Sequence, residues 1–339
     1  MEFICVTGDE QIDKSKYIYN KALEVTKSSK KAIVFVPSQA RMIAEEEYFN
    51  KTNKDYISNI EITTISRFVT KELQKIGHAF NKEYLTENAK RLYVKKIVAE
   101  NKSDLEIFSK VANTPSFIDM LISYGEHIKR QEITLEDINK VEGLEPLSKK
   151  KLEEIIKLND KIMNKIKENH IDNLDVLQVF YELLLDKKIQ LDDVEMFFHG
   201  YNNFNKKELN LIKTLLLQGT RISVSLTIPN NINEELKDGI FEVSYKTYED
   251  IKQIANDLKI NLKVITPNIK IDKSKELVSL TNQIFNEHNN NNNIMSYDSV
   301  NLNIYSNTEE EITNIAKNIL MEIRERQGAQ VARLRYLYK

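Results

Sequence analysis

The run Gly8-Asp9-Glu10-Gln11-Ile12-Asp13-Lys14-Ser15 has the residue types of a phosphate-binding loop. It meets G-x-x-x-x-G-K-[ST] at Gly8, Lys14 and Ser15 and departs at Asp13, where the pattern has glycine. In a working loop, backbone amides wrap the phosphates, the lysine neutralises the terminal ones and the hydroxyl ligates Mg²⁺. Asp13 restricts the backbone and sets a carboxylate beside the polyanion. A like-charge pair at about 4 Å costs roughly 1 to 4 kcal/mol for effective dielectrics between water and a protein surface. ATP with Mg²⁺ is therefore expected to bind weakly at best, without hydrolysis, and Asp13→Gly to recover measurable binding. A chance match in a lysine-rich chain is the alternative.

A motor also needs an acid at the tip of a buried strand to hold Mg²⁺ through water. The corresponding strand, Val194 to Phe198, ends in His199-Gly200-Tyr201, so His199 stands where that acid would be. It reads as a packed or solvent-edge histidine rather than a ligand, because the five histidines show no H-x-x-x-H spacing and no metal centre is expected. Ser66-Arg67, at a loop-to-helix junction, is either a capping pair or a DNA phosphate contact through hydroxyl, guanidinium and helix N-terminus. Tyr17, Tyr19, Tyr201 and Phe204 either stack on bases or pack internally. Lys149-Lys150-Lys151 reads as a solvated helix face.

These residues need elements to position them. Phe3 to Thr7, Ala32 to Val36 and Ile60 to Thr63 are β-rich runs separated by helical pattern, which is a βαβ signal and predicts a parallel sheet. From about Lys71 to Gln190 helical periodicity takes over. Its stripes are Ala89, Leu92, Tyr93 and Ile97; Ile118, Leu121 and Ile122, entered through Thr114 as N-cap and Pro115 as first helical residue; Leu152 to Ile166; and Val176 to Leu184. Strand pattern resumes at Val194 to Phe198 and Ile222 to Leu226. Phe241-Glu242-Val243 and Leu262 to Ile265 read as a peripheral continuation. The expected organisation is a sheet domain in two parts, 1–70 and 191–265, with a helical subdomain, 71–190, inserted. A connecting segment, 266–299, contains the Asn-rich tract 288–293. A strand at Val300 to Tyr305 and a helix capped by Thr308 to Glu311 would begin a second α/β domain over 300–339. The stretch 327–339 is assigned no function.

Composition narrows the class. Eight Gly and five Pro in 339 residues are about 4% together, against roughly 12% in average usage, so the chain is neither loop-rich nor fibrous. At 41% hydrophobic and 29% charged it can bury a core. The formal charge of −2 means that a nucleic-acid surface has to be local. The single cysteine, Cys5, excludes an internal disulfide and a thiolate-held zinc or iron-sulfur site. No signal peptide or membrane span is evident, and a cytoplasmic setting is expected.

In order and spacing these motifs resemble the N-terminal helicase-like region of the AddB/RexB family, the second subunit of bacterial ATP-dependent helicase-nucleases acting in double-strand break repair and homologous recombination. The resemblance rests on the initial loop; on Pro37 and Gln39, similar to V-P-x-Q; on Ile65-Ser66-Arg67-Phe68, similar to S-F-S-R-L; on Pro115-Ser116-Phe117-Ile118, similar to P-G-F-I; and on His199-Gly200-Tyr201-Asn202-Asn203-Phe204, similar to D-G-F-x-x-F with His for Asp. It implies a P-loop, RecA-like, superfamily 1 helicase-like fold, DNA (single-stranded or a duplex end) as ligand, and an AddA-like motor and nuclease subunit as partner. It also implies that the family's nuclease and iron-sulfur cluster lie outside this chain. Three readings stay open: a non-motor DNA-binding scaffold, an active NTPase using Lys14 and Ser15, and a protein-binding scaffold whose motifs are relics. Nucleotide titration and salt-dependent DNA binding separate them.

Overall fold

The computed structural model describes residues 2–28, 30–53, 59–77, 83–191, 193–229, 232–285 and 302–325. The chain divides into two units, Met1–Ile271 and Asp272–Lys339.

The first unit begins with β1 (Phe3–Val6), α1 (Lys14–Lys27), β2 (Lys31–Phe35), α2 (Arg41–Thr52), β3 (Ile60–Thr63) and α3 (Ile65–Lys75). A largely helical stretch follows: β4 (Glu83–Tyr84), α4 (Glu87–Glu100), α5 (Pro115–Gln131), α6 (Leu135–Lys140), α7 (Pro146–Asn169), β5 (His170–Ile171) and α8 (Asn173–Leu185). The unit closes with β6 (Val194–Phe198), α9 (Lys206–Leu217), β7 (Arg221–Ser225), α10 (Glu242–Leu258) and β8 (Leu262–Ile265).

Six of the strands form one sheet, in the order β3-β2-β6-β7-β1-β8, with every pairing parallel. The expected α/β class with a parallel sheet is what the chain forms. β1 is interior to the sheet but lies next to the edge strand β8 rather than at the centre.

Both faces of the sheet are covered, so β1 and β2 read as nearly continuous apolar runs, whereas β3, β7 and β8 interleave polar residues. Successive residues alternate between two cores. On one side Ile33, Phe35, Met196 and Phe198 pack against Phe68 of α3, Phe180 of α8, Leu211 and Leu215 of α9 and Ile251 of α10. On the other, Ala32, Val34, Ile60, Ile62 and Phe197 meet Ile18 and Ala22 of α1 and Ala44 and Tyr48 of α2. The fourth helical stripe therefore belongs to the sheet's core.

A separate core is built from Val94 and Ile97 of α4, Phe117, Ile118 and Leu121 of α5, and Ile155, Leu158 and Ile162 of α7. Thr114 caps α5 by accepting the Phe117 N–H, with Pro115 as first helical residue, as the sequence predicts. At the α5–α7 crossing Gly125 is packed so closely that a Cβ there would sit 2.4 Å from Asn159 Oδ1.

The elements also differ from expectation in places. Leu92 is 70% exposed, because the buried face of α4 runs through Lys90, Val94, Ile97 and Val98. Phe241-Glu242-Val243 is no strand: Phe241 precedes α10, and it and Tyr245 are buried one turn apart. The two-residue strands β4 and β5 pair with each other in a stretch read as wholly helical; at that length they leave no periodicity to detect.

In the second unit α11 (Lys275–Phe285) and α12 (Thr308–Glu325) are helical. Leu302–Tyr305 form no strand. The cap of α12 is Asn307, whose Oδ1 accepts the Glu310 N–H at 2.9 Å, while Glu310 takes the backbone N–H and hydroxyl of Ser306. The Asn-rich tract 288–293 and the tail 327–339 lie outside the described residues.

Candidate functional site

Gly8, Asp13, Lys14, Ser15 and His199 converge at the C-terminal ends of the strands. β1 carries the chain into the loop, and Asp13 starts α1 by accepting the Lys16 N–H at 2.9 Å. Between them the backbone is wired into the protein. Gly8 N–H donates to Ile228 O at 3.0 Å, Ile12 N–H to Asp9 O at 3.3 Å, Asp13 N–H to Ile269 O at 2.7 Å and Lys14 N–H to Ile12 O at 2.9 Å. Gln11 N–H donates to Asp9 Oδ1 at 2.8 Å. Five amides of the run, those of Gly8, Gln11, Ile12, Asp13 and Lys14, are thus already matched to acceptors.

The loop also fills its own hollow. Gly8 adopts φ +156°, and a Cβ on it would meet Ile12 Cβ at 2.7 Å. Glycine is needed here for backbone freedom and for close approach of Ile12. Lys14 is buried, and its ammonium donates to Gly8 O at 2.9 Å and Asp9 O at 2.7 Å, back onto the loop it opens from.

Asp13 has a different environment from the one its sequence position suggests. Lys51 of α2 lies 2.7 Å from its carboxylate. Like-charge repulsion of a polyphosphate is thereby offset, and the obstacle becomes the wiring of the amides and of Lys14. As arranged, these residues do not fit a Mg²⁺-nucleotide.

His199 follows β6, its N–H extending the ladder to Phe35 O at 2.9 Å. The ring joins two hydroxyls: Nδ1 lies 2.7 Å from Ser225 Oγ at the end of β7, and Nε2 3.1 Å from Ser15 Oγ in the first turn of α1. A neutral imidazole donates from one nitrogen and accepts at the other, and serine hydroxyls complement either tautomer. Tyr19 packs edge-on against the ring at 5.9 Å. Burial pushes the imidazole pKa down to about 4; Glu47 and Asp13 oppose this, while Lys51 and Lys14 add to it. Ser15, Ser225 and His199 thus form a neutral clasp over the ends of three elements.

Ser66 and Arg67 lie elsewhere. Thr64 caps α3 by accepting the Arg67 N–H, so both residues are exposed in the first turn and neither is the cap. β3 is separated from β1 by β2, β6 and β7, about 19 Å at the usual strand spacing. Arg67 borders a groove of about 600 Å³ whose lining includes Lys30, Lys31, Arg41, Glu61 and Lys71. Those cations come from separate parts of the chain, and no local pattern announces them.

Of the four aromatics considered for base stacking, Tyr19 is fully buried and Tyr201 stacks on Phe204 at 4.9 Å within the sheet's core. Tyr17 lies half-buried with the Lys21 ammonium 5.9 Å from its ring centre. Cys5 is buried in β1, and burial pushes its thiol up to about 12, so it is an inert core residue. Among the described residues no cluster of His, Cys, Asp and Glu is arranged to hold a metal, and no helix is long and apolar enough to cross a membrane.

Residues 5–281 match the family described as "ADDB, N-terminal". Similar curated proteins are named as the B-type subunit of an ATP-dependent helicase/deoxyribonuclease. The one from Alkaliphilus metalliredigens (strain QYMF) is 26% identical over 309 residues, covering 87% of this chain and 26% of the relative. That from Listeria innocua serovar 6a is 26% identical over 287 residues, covering 82% and 24%. That from Caldanaerobacter subterraneus subsp. tengcongensis is 24% identical over 302 residues, covering 85% and 26%. The chain spans about a quarter of the length of these relatives.

Proposed function

Because the chain belongs to the family of ADDB N-terminal regions, we propose that it is the helicase-like, non-motor portion of the B-type subunit of an ATP-dependent helicase/deoxyribonuclease, acting in DNA break repair by holding DNA and a motor subunit of the AddA type. The relatives' names, which speak of a helicase and deoxyribonuclease with more than one kind of subunit, support this reading. In it the sheet is a P-loop, RecA-like domain in two parts, 1–70 and 191–265, interrupted by the helical subdomain 71–190, with 266–299 leading to a second such domain from 300 on. β7 separates β1 from β6, so the loop and His199 face each other across one intervening strand.

The observation that carries the non-motor reading is the self-contained loop: Lys14 bonded to Gly8 O and Asp9 O, and His199 clasped between Ser15 and Ser225. Lys14 and Ser15, the residues an NTPase would use, serve as structural pins. Ser66 and Arg67, with exposed donors at the N-terminus of α3, are the candidate DNA phosphate contact, and competition between an oligonucleotide and a peptide decides whether they serve DNA. A cytoplasmic site of action goes with this role.

Calorimetric titration with Mg²⁺-ATP and fluorescence titration with a single-stranded oligonucleotide test the proposal. The expected result is no nucleotide binding at micromolar concentration, together with DNA binding that weakens as salt rises. ATP turnover stimulated by DNA would replace this reading with the active NTPase, and absence of DNA binding would leave a protein scaffold.

A further inference from the structure

β3 is the edge of the sheet, bonded on one side to β2. Ala32 N–H donates to Asn59 O at 2.9 Å and Val36 N–H to Thr63 O at 3.0 Å. In a parallel ladder the N–H and C=O of one residue point the same way and alternate along the strand. Glu61 and Thr63 therefore address β2, while Ile60 and Ile62 turn their backbone groups outward. Arg41 Nε reaches Ile62 O at 3.4 Å, and among the described residues no strand pairs on that side.

The outward edge is the floor of the groove bordered by Lys30, Lys31, Arg41, Arg67 and Lys71. Glu61 is the carboxylate of that lining. Lys31 and Lys71 both bond it, and their hold outweighs the effect of burial, keeping it below the usual carboxylate range. Arg41 additionally pairs with Glu45 at 2.7 Å. Positive charge is left in excess along the whole strand.

We propose that this groove takes an extended acidic segment of a partner protein, added to β3 as a further strand. An added strand sends alternate side chains to the two faces of the sheet, and cations wait on both. Ile60 and Ile62 point into the core shared with α2, which begins at Arg41. Glu61 points the other way, to Lys71 of α3, where Arg67 also stands. The outward N–H and C=O groups of Ile60 and Ile62 supply the ladder, and the cations select for carboxylates. A nucleic-acid strand would satisfy the charge but has no repeat of N–H and C=O to meet that floor.

The test uses the full 339-residue chain and a labelled peptide of about ten residues with a Glu-Glu-Val-Val repeat, which puts carboxylates on both faces of the added strand, at a length suited to one strand. Binding by anisotropy is expected to weaken with salt, and hydrogen exchange at the Ile60 and Ile62 amides to slow on binding. Lys30→Glu with Arg67→Glu should lower affinity about tenfold or more, with the fold confirmed by circular dichroism. A peptide of the same charge, N-methylated at alternate residues, leaves the protein untouched and should fail to bind. Equal affinity for that peptide, or no binding of the parent peptide, overturns the proposal. So does a competing oligothymidylate that leaves the two amides unchanged, which would make the groove a nucleic-acid surface.

Discussion

His199 shows how a single side chain sets pH dependence here. Its ordinary pKa of 6.5 falls to about 4 in the folded chain, so the unfolded state binds the extra proton between those values. Stability from the neutral ring is present above about pH 6.5 and lost as pH falls towards 4; the shift corresponds to a ceiling of about 3 kcal/mol. Chemical denaturation at several pH values should show the difference between wild type and His199→Gln shrinking by up to that amount over the window. A pH-independent difference would mean that the ring is not held neutral. Asp13 carries the second prediction at this scale. From spacing alone, Asp13→Gly is expected to recover nucleotide binding, but the loop's wiring changes that expectation. Amides bonded to Ile228 O and Ile269 O stay committed whatever residue stands at 13. The variant should lose about 1 kcal/mol with the cap and the Lys51 pair, and calorimetry should still register no micromolar binding of Mg²⁺-ATP.

At the scale of elements, the α5–α7 crossing depends on the missing side chain of Gly125. Asn159, 4% exposed, occupies the space that a methyl would need. Gly125→Ala should therefore destabilise by about 1 to 3 kcal/mol, despite alanine's better helix propensity, as measured by urea unfolding. Some strands of the main sheet are legible in the sequence as apolar runs, as in Phe3 to Val6, and others as period-two alternation, as in Arg221 to Ser225. A cap is legible where the capping residue directly precedes a proline, as at Thr114-Pro115. The entrance to α12 is not, because Thr308 and Asn307 are both good caps and only geometry decides between them. In the same way the charge at Asp13 can be read from its position but its neutraliser cannot, since Lys51 lies on another helix.

For the whole molecule, the order β3-β2-β6-β7-β1-β8 is invisible to local pattern, because each strand's sequence records its burial and not its neighbours. That order has a consequence for how the protein is made. Phe3 pairs with Ile222, and Ile4 with Lys263, so β1 has both its neighbours some 220 or more residues downstream. At about 5 to 20 residues per second, the nascent apolar segment waits on the order of ten to forty seconds before either partner leaves the ribosome. A chain built in this order leaves β1 without its sheet partners through most of its synthesis, whereas β2 and β3 emerge within moments of each other.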